Sequence, residues 1–425
     1  MALALLFVFL VLFLIMGVPV AVSLGAASLI YVLIAGIPDV VVLHNMVAGV
    51  DSFPLLAIPF FILAGHLMNT GGITAKIFTF ARSLVGWLPG GLGHVNVGAS
   101  VIFAGMSGAA VADAGGLGNV EIKAMRDAGY DSDFAVGVTA ASSTIGPIIP
   151  PSLPLVIYGV MASVSIGELF AAGLVPGLVM AVALMIMVAW YSIRRNYPKD
   201  GGFELCTLWH TFRAAFLPLL TPVIIVGGIA TGAFTPTEAA VAAVFYALFL
   251  GLAIYRTLNW KHLLRVSMDT IETSAAILMI VAAAAIFAWI LTANQAAVVL
   301  GDAMLGITDS KMGVLFMMMI LVLLIGMFME TIAAITILVP VLIPIANTVG
   351  IDPIHLGILV VLNLMIGLLT PPIGMVLYVL AEVANVRFED CVRATMPFLI
   401  PLLAVLLLIM VFPQIALWLP EVLYH

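Results

Sequence analysis

Apolar length is the strongest constraint on this chain. The first 34 residues, Met1 to Ile34, contain no charged side chain. Comparable runs recur at Glu168 to Ile193, Glu238 to Ile254, Val314 to Met329 and Pro397 to Leu417. A helix needs about 20 apolar residues to cross the hydrocarbon core of a bilayer. Of the 425 residues, 64% are hydrophobic and only 8% charged, against about 25% charged in soluble domains. Too little charge remains to cover a water-soluble surface. The reading is a single all-α polytopic membrane domain over residues 1–425, with roughly 10 to 12 membrane segments by the length rule. The first stretch is too long for a cleaved signal peptide and has neither a basic start nor a small-residue cleavage site, so it is expected to persist as a helix. Cys206 and Cys391 stand far apart in sequence and suggest neither a disulfide nor a metal motif.

The few positive charges carry topology. The longest polar stretches are Asn119 to Asp133, Arg194 to Glu204 and Arg256 to Arg265, and each holds Lys or Arg. Pairs of spans separate them, so all three read as loops on one side, which the positive-inside rule makes cytoplasmic. The connection Ala162 to Gly167 has no basic residue.

The sequence also repeats itself at an offset of 221 residues. Gly105-Met106 falls on Gly326-Met327, Pro150-Pro151 on Pro371-Pro372, Glu168 on Glu389 and Pro176 on Pro397. Basic residues swap sides between the copies. Asn119 to Asp133 holds Lys123 and Arg126 while its counterpart Pro340 to Ile354 holds none; Ser163 to Leu169 holds none while Ala384 to Asp390 contains Arg387. That exchange is what inverted topology requires, and inverted repeats with broken helices mark secondary transporters whose sites lie near the bilayer midplane.

Each copy contains two interrupted segments. In the first, VIFAGMSGAAVADAGGLG (about 101–118) reads as a re-entrant hairpin with its tip at Met106-Ser107-Gly108. TAASSTIGPIIPPSLPLVIY (139–158) reads as a helix broken by Pro147, Pro150, Pro151 and Pro154. In the second, LLIGMFMETIAAITILVPVLIP (about 323–344) reads as the matching hairpin and NLMIGLLTPPIGMVLY (363–378) as the matching broken helix. Non-helical backbone at membrane depth is tolerated only where protein buries it or it lines a cavity. The expected division is therefore 1–90 scaffold helices with an interfacial arm, 91–200 the first inverted repeat, 201–311 further scaffold helices and 312–425 the second repeat. Hydroxyls and freed carbonyls suit a hard cation such as sodium. The candidate sodium ligands are Ser107, Ser143, Thr144, Gly146, Gly326, Gly367, Thr370 and Gly374. The bland alternative is that the Gly and Ser residues only allow close helix packing. Sodium held by neutral oxygens leaves a positive pocket, to which inward half-helix N-termini add. An organic anion is then the natural guest, with Ser107, Gly108, Pro147, Thr370 and Pro371 the candidate substrate contacts.

Asp113 and Glu330 each follow a hairpin tip. They either tune the ion sites or cap a half-helix. Glu238 in FTPTEAAVAA reads as structural, because Thr235 or Thr237 precedes a helix with Pro236 in its first turn. ITAKIFTFARSLVG (73–86) suits a helix lying at the headgroups. The methionines around Met317 to Met319 read as adaptable packing. HExxH, paired GxGD aspartates and GxxxxGK[ST] are all missing from the sequence, which disfavours an intramembrane protease and an ATP-driven pump.

DSFPLLAIPFFILAG (51–65), WLPGGLGHVNVGASVIFAGMSGAAVADAGGLG (87–118), SSTIGPIIPPSLPLVIYG (142–159), GAFTPTEAAVAAVFYAL (232–248) and LLTPPIGMVLYV (368–379) resemble the large membrane subunit of tripartite ATP-independent periplasmic (TRAP) transporters along essentially the whole chain. The resemblance implies an elevator-type mechanism, a sodium gradient as the driving force and a bacterial inner-membrane location. It also implies two partners, a small four-helix membrane subunit and a periplasmic substrate-binding protein, with no cofactor beyond Na+. C4-dicarboxylates, sialic acids and 2-oxo acids are the expected substrate class. The hairpin-tip and broken-helix residues inherit the ion role. This tip reads MSGAA, poorer in hydroxyls than tips reading SGSS, so backbone carbonyls must supply more of the first site. The rival reading is a stand-alone sodium/dicarboxylate symporter that needs no binding protein.

Overall fold

A computed structural model describes residues 2–199, 202–308 and 310–424, though not the side chains of residues 2–4, 74, 105–107 and 112. The first half holds α1 (Ala2–Ile15), α2 (Val20–Ile34), α3 (Val40–Val50), α4 (Ala57–Thr70), α5 (Ile73–Val85), α6 (Gly91–Ser107), α7 (Ala110–Asp127), α8 (Ser132–Ser143), α9 (Leu153–Ala162) and α10 (Ile166–Arg195). The second holds α11 (Leu205–Ala230), α12 (Pro236–Phe249), α13 (Trp260–Ala293), α14 (Ala296–Leu305), α15 (Lys311–Gly326), α16 (Thr331–Thr348), α17 (Pro353–Gly367), α18 (Met375–Ala384), α19 (Phe388–Val411) and α20 (Gln414–Tyr424).

The 221-residue offset holds at the level of helices. Moved by 221, Ala110–Asp127 lands on Thr331–Thr348, and α6, α8 and α9 fall on α15, α17 and α18 within a few residues. The match extends past the hairpins: α5 falls on α14, and α3 with α4 on the single long α13. Packing is exchanged between copies in the same way. Helix α7 lies against α18 while α16 lies against α9, and α4 packs on α12 while α13 packs on α2.

Hydrogen bonds fix the inversion. Arg195, at the end of α10, bonds Asp131 and Asp133 at 3.0 and 2.9 Å, so those segments share one end of the molecule. The 30-residue α10 is about 45 Å long, which puts Ile166 at the opposite end. Arg126 donates to the Ala384 carbonyl at 2.7 Å, placing 384 at the first end. Its counterpart Ser163 begins the turn into α10 at the other. Tyr158 reaches the Pro353 carbonyl (2.6 Å) and Lys311 the Gly350 carbonyl (2.5 Å), so the start of the second hairpin lies where α9 ends. Corresponding points sit at opposite ends, as the charge pattern predicts.

Four sequence expectations are corrected. The first apolar stretch forms two helices, α1 and α2, folded together about Gly17 (φ 77°) and Pro19. Asn119 to Asp133 is mostly helix, because α7 continues to Asp127 and carries Lys123 and Arg126. The hairpins are correspondingly longer than read, 91–127 and 311–348. Pro154 does not break a helix; it sits in the first turn of α9, where no helical hydrogen bond is lost. Among the described residues seven helices are long and apolar enough to cross a bilayer alone. The remaining depth is covered by shorter helices, including hairpin arms and half-helices.

The main core runs through both copies, and a second cluster joins α1 and α2 to Ala283, Phe287 and Ile290 of α13. Outside it, Ile186, Phe245, Ile271 and Ile400 are each at least 61% exposed. Such a surface is stable against lipid and not against water. The capping box Thr235/Glu238 starts α12 as the FTPTEAA string suggests, and Met318 and Met319 are buried packing residues.

Candidate functional site

Both ends of each hairpin lie on one side of the molecule, so its tip turns back within the protein. The first tip falls at Gly108, which has φ 58°. That left-handed conformation is open to glycine at little cost. A Cβ there would lie 2.8 Å from the Pro151 carbonyl, so the tip touches the first break directly. The second tip, Met327 to Glu330, meets the second break through a bond from Ile373 N to the Met327 carbonyl (3.3 Å). Gly326 and Gly367 meet backbone to backbone: a Cβ on Gly367 would lie 2.6 Å from the Gly326 carbonyl carbon.

The first break is residues 144–152. It is entirely buried, and the Pro150-Pro151 bond is cis. Ser143 and Thr144 end α8, their hydroxyls donating to the Ala140 and Ala141 carbonyls at 2.8 and 2.6 Å. Those bonds use the hydroxyl hydrogens and leave oxygen lone pairs free, as a cation ligand requires. Gly146 lies in the same buried turn. Ser152 stands outside the candidates that the sequence names. Its hydroxyl donates to the Pro147 carbonyl and accepts from Leu155 N (3.2 Å), joining the break to α9. The Pro147 carbonyl is therefore already engaged.

The second break, 368–374, follows the same plan with Pro371-Pro372 also cis. Thr370 donates to the Ile366 carbonyl at 2.7 Å, and Gly374 (φ 58°) precedes α18. It is not closed like the first: Pro372 and Ile373 are exposed, and Thr370 and Pro371 are half-buried. Four helix N-termini, those of α7, α9, α16 and α18, start at the tips and breaks. Each adds partial positive charge.

The two acids differ. Glu330 caps α16, its Oε2 accepting from Ile332 N (2.8 Å) and Ala333 N (3.3 Å). Asp113 is buried in the first turn of α7 beside Ser100 of α6. The side chain of Ser107, named above for both sodium and substrate, lies outside the described residues. The structure thus joins Gly108 to the first break, and Gly326 to Gly367 at the second.

Comparison with known proteins finds relatives along most of the chain. Residues 7–415 match the family model described as the DctM component of tripartite ATP-independent periplasmic transporters. The chain is 48% identical over 409 residues, 95% of each protein, to the sialic acid TRAP transporter large permease protein SiaM of Vibrio cholerae. It is 44% identical to the sialic acid TRAP transporter permease protein SiaT of Haemophilus influenzae, spanning 96% of this chain and 66% of that longer one. Identity to the C4-dicarboxylate TRAP transporter large permease protein DctM of Rhodobacter capsulatus is 35% over 96% of each. In fold the chain is similar to the crystal structure of the Alcanivorax borkumensis YdaH transporter, with a TM-score of 0.65, 15% identity, and 89% and 88% of the two chains covered.

Proposed function

The chain belongs to the DctM-component family of TRAP transporters, and on that premise we propose that it carries out sodium-coupled uptake of an organic acid anion delivered by a periplasmic binding protein. It is a multi-pass protein of the bacterial inner membrane and a transport component, not an enzyme. The observation that carries the proposal is the meeting of two inverted hairpin tips with two broken helices at four half-helix N-termini. Unwound carbonyls and hydroxyls there suit sodium, and the N-termini suit a carboxylate. Sodium is assigned to Ser107, Ser143, Thr144 and Gly146 in the first copy, and to Gly326, Gly367, Thr370 and Gly374 in the second. Ser107, Gly108, Thr370 and Pro371 are assigned to the anion; Pro147 positions its loop through Ser152.

The rest of the proposal concerns motion and partners. The two repeats move as a unit against the remaining helices, an elevator, and the small four-helix subunit braces that frame. Sialic acid is the first substrate to test, because relatives named for it are 48% and 44% identical. The assay is uptake of labelled sialic acid and C4-dicarboxylates into proteoliposomes holding both membrane subunits, with the binding protein outside. Uptake that follows an imposed sodium gradient without ATP supports the proposal. Uptake indifferent to sodium, or undiminished without the binding protein, would sink it.

A further inference from the structure

Glu121 lies away from both tips, six residues before α7 ends at Asp127, about 9 Å along the axis. This is the end of the molecule that carries Arg126 and Arg195. Glu121 is only 2% exposed. Its Oε2 accepts from the Asn96 amide of α6 at 2.8 Å. The same amide donates to Thr139 Oγ1 of α8 at 2.7 Å, and Asn96 Oδ1 accepts from Ser142 at 2.5 Å. Glu121 Oε1 is buried with no hydrogen-bond partner.

The cluster is not a requirement of the repeat. At the offset of 221, Glu121 becomes Leu342, Asn96 Met317, Thr139 Val360 and Ser142 Asn363. Leu342 and Val360 are fully buried and Met317 packs on the core, so the fold closes there without the acid. Among the described residues no ion pair includes Glu121. A buried carboxylate needs a counter-charge or a proton. Oε2 itself and the Thr139 hydroxyl oxygen already face the Asn96 amide hydrogens, whereas a metal cation needs several oxygens turned to one point. A proton on Oε1 neutralises the group and leaves every bond of the cluster in place.

We propose that Glu121 is a proton-binding site whose carboxyl bonds to none of the residues assigned to sodium, its cluster ending at Ser142 beside Ser143, and that uptake requires its neutral form. A hydronium ion in the water at the Arg126/Arg195 end gives up a proton: one of its O–H bonds breaks, leaving neutral water, and one O–H bond forms on Oε1, while every hydrogen bond of the cluster stays in place. The proposal rests on the transport reading above. The titratable groups on helices packed against α7 are His94 on α6, Asp133 on α8 (held by Arg195), and Tyr378 and Glu382 on α18. On α7 itself they are Asp113, Lys123, Arg126 and Asp127.

The test measures uptake by the complete transporter at saturating sodium as pH is raised. Wild-type uptake should fall on the alkaline side, approaching about tenfold per pH unit, the slope of a single proton. E121Q, permanently neutral, should lack this limb whatever its absolute rate, and H94Q should keep it. Independently, the infrared difference spectrum between acidic and alkaline buffer should show a protonated carboxyl band in the purified protein that E121Q lacks. Superimposable pH profiles of wild type and E121Q, or a limb that H94Q removes, overturn the proposal. Absence of uptake in every arm would instead reject the transport reading, and the infrared band would still decide Glu121.

Discussion

Replacing Gly367 with Ala tests whether the second site depends on backbone-to-backbone contact. The added Cβ would lie 2.6 Å from the Gly326 carbonyl carbon and 2.9 Å from its Cα, where ordinary contact begins at 3.4 Å. The gap must therefore open by about 0.8 Å, and both partners are main chain that no rotamer change can move. Overpacking of this kind costs about 1–3 kcal/mol. The same displacement separates the hairpin tip from Thr370. Two readouts are expected to move together: the thermal midpoint of the purified protein falls, and half-maximal uptake requires more sodium. The control is Gly115→Ala, whose Cβ would meet Val379 at an ordinary 3.6 Å. A Gly367→Ala protein with lowered stability but unchanged sodium dependence would show that this contact is packing alone. Wild-type values in both readouts would refute the close approach itself.

Other expectations follow from the same geometry. Thr370→Ala should raise the sodium needed for half-maximal uptake and Thr370→Ser should restore it; unchanged sodium dependence in Thr370→Ala, Ser143→Ala and Ser107→Ala together would make these hydroxyls packing groups. Glu330→Ala removes the cap of α16 and should cost about 1 kcal/mol in stability with reduced uptake, whereas Glu330→Asp, still a capping residue, should recover most of both. Thr235→Ala breaks the start of α12 and should cost about 1 kcal/mol while sodium dependence stays that of wild type, since the residue lies far in sequence from both tips. A melting temperature equal to wild type in the last variant would mean the capping box contributes nothing.

The repeat was legible because glycine and proline punctuate both copies at matched positions, and the helix ends obey the same offset. The inversion was legible because so few basic residues exist that each one reports a side. Hydropathy could not show that Met1 to Ile34 turns back on itself; a turn among apolar residues leaves only Gly17 and Pro19 as its trace, and both also occur inside membrane helices. The Asn119 to Asp133 stretch reads as a loop for a related reason, since charged residues on the exposed face of a helix look the same in sequence. Glu121 reads as a solvated charge by residue type, and only tertiary packing places Asn96 against it. Ser152 carries a readable signal, since a serine ahead of Leu-Pro is a helix start, but the prolines around it mark the break more strongly than the residue that staples it.

The two breaks are unequal: the first is sealed, while Pro372 and Ile373 of the second stand at the surface. In a molecule made of two inverted copies, that inequality defines a direction. On the proposed elevator motion, carrying both copies as a unit past the remaining helices would exchange which break stands at the surface. A cysteine at position 373 should then be reached by a thiol reagent in the state described, one at 152 should not, and turnover should exchange their reactivities.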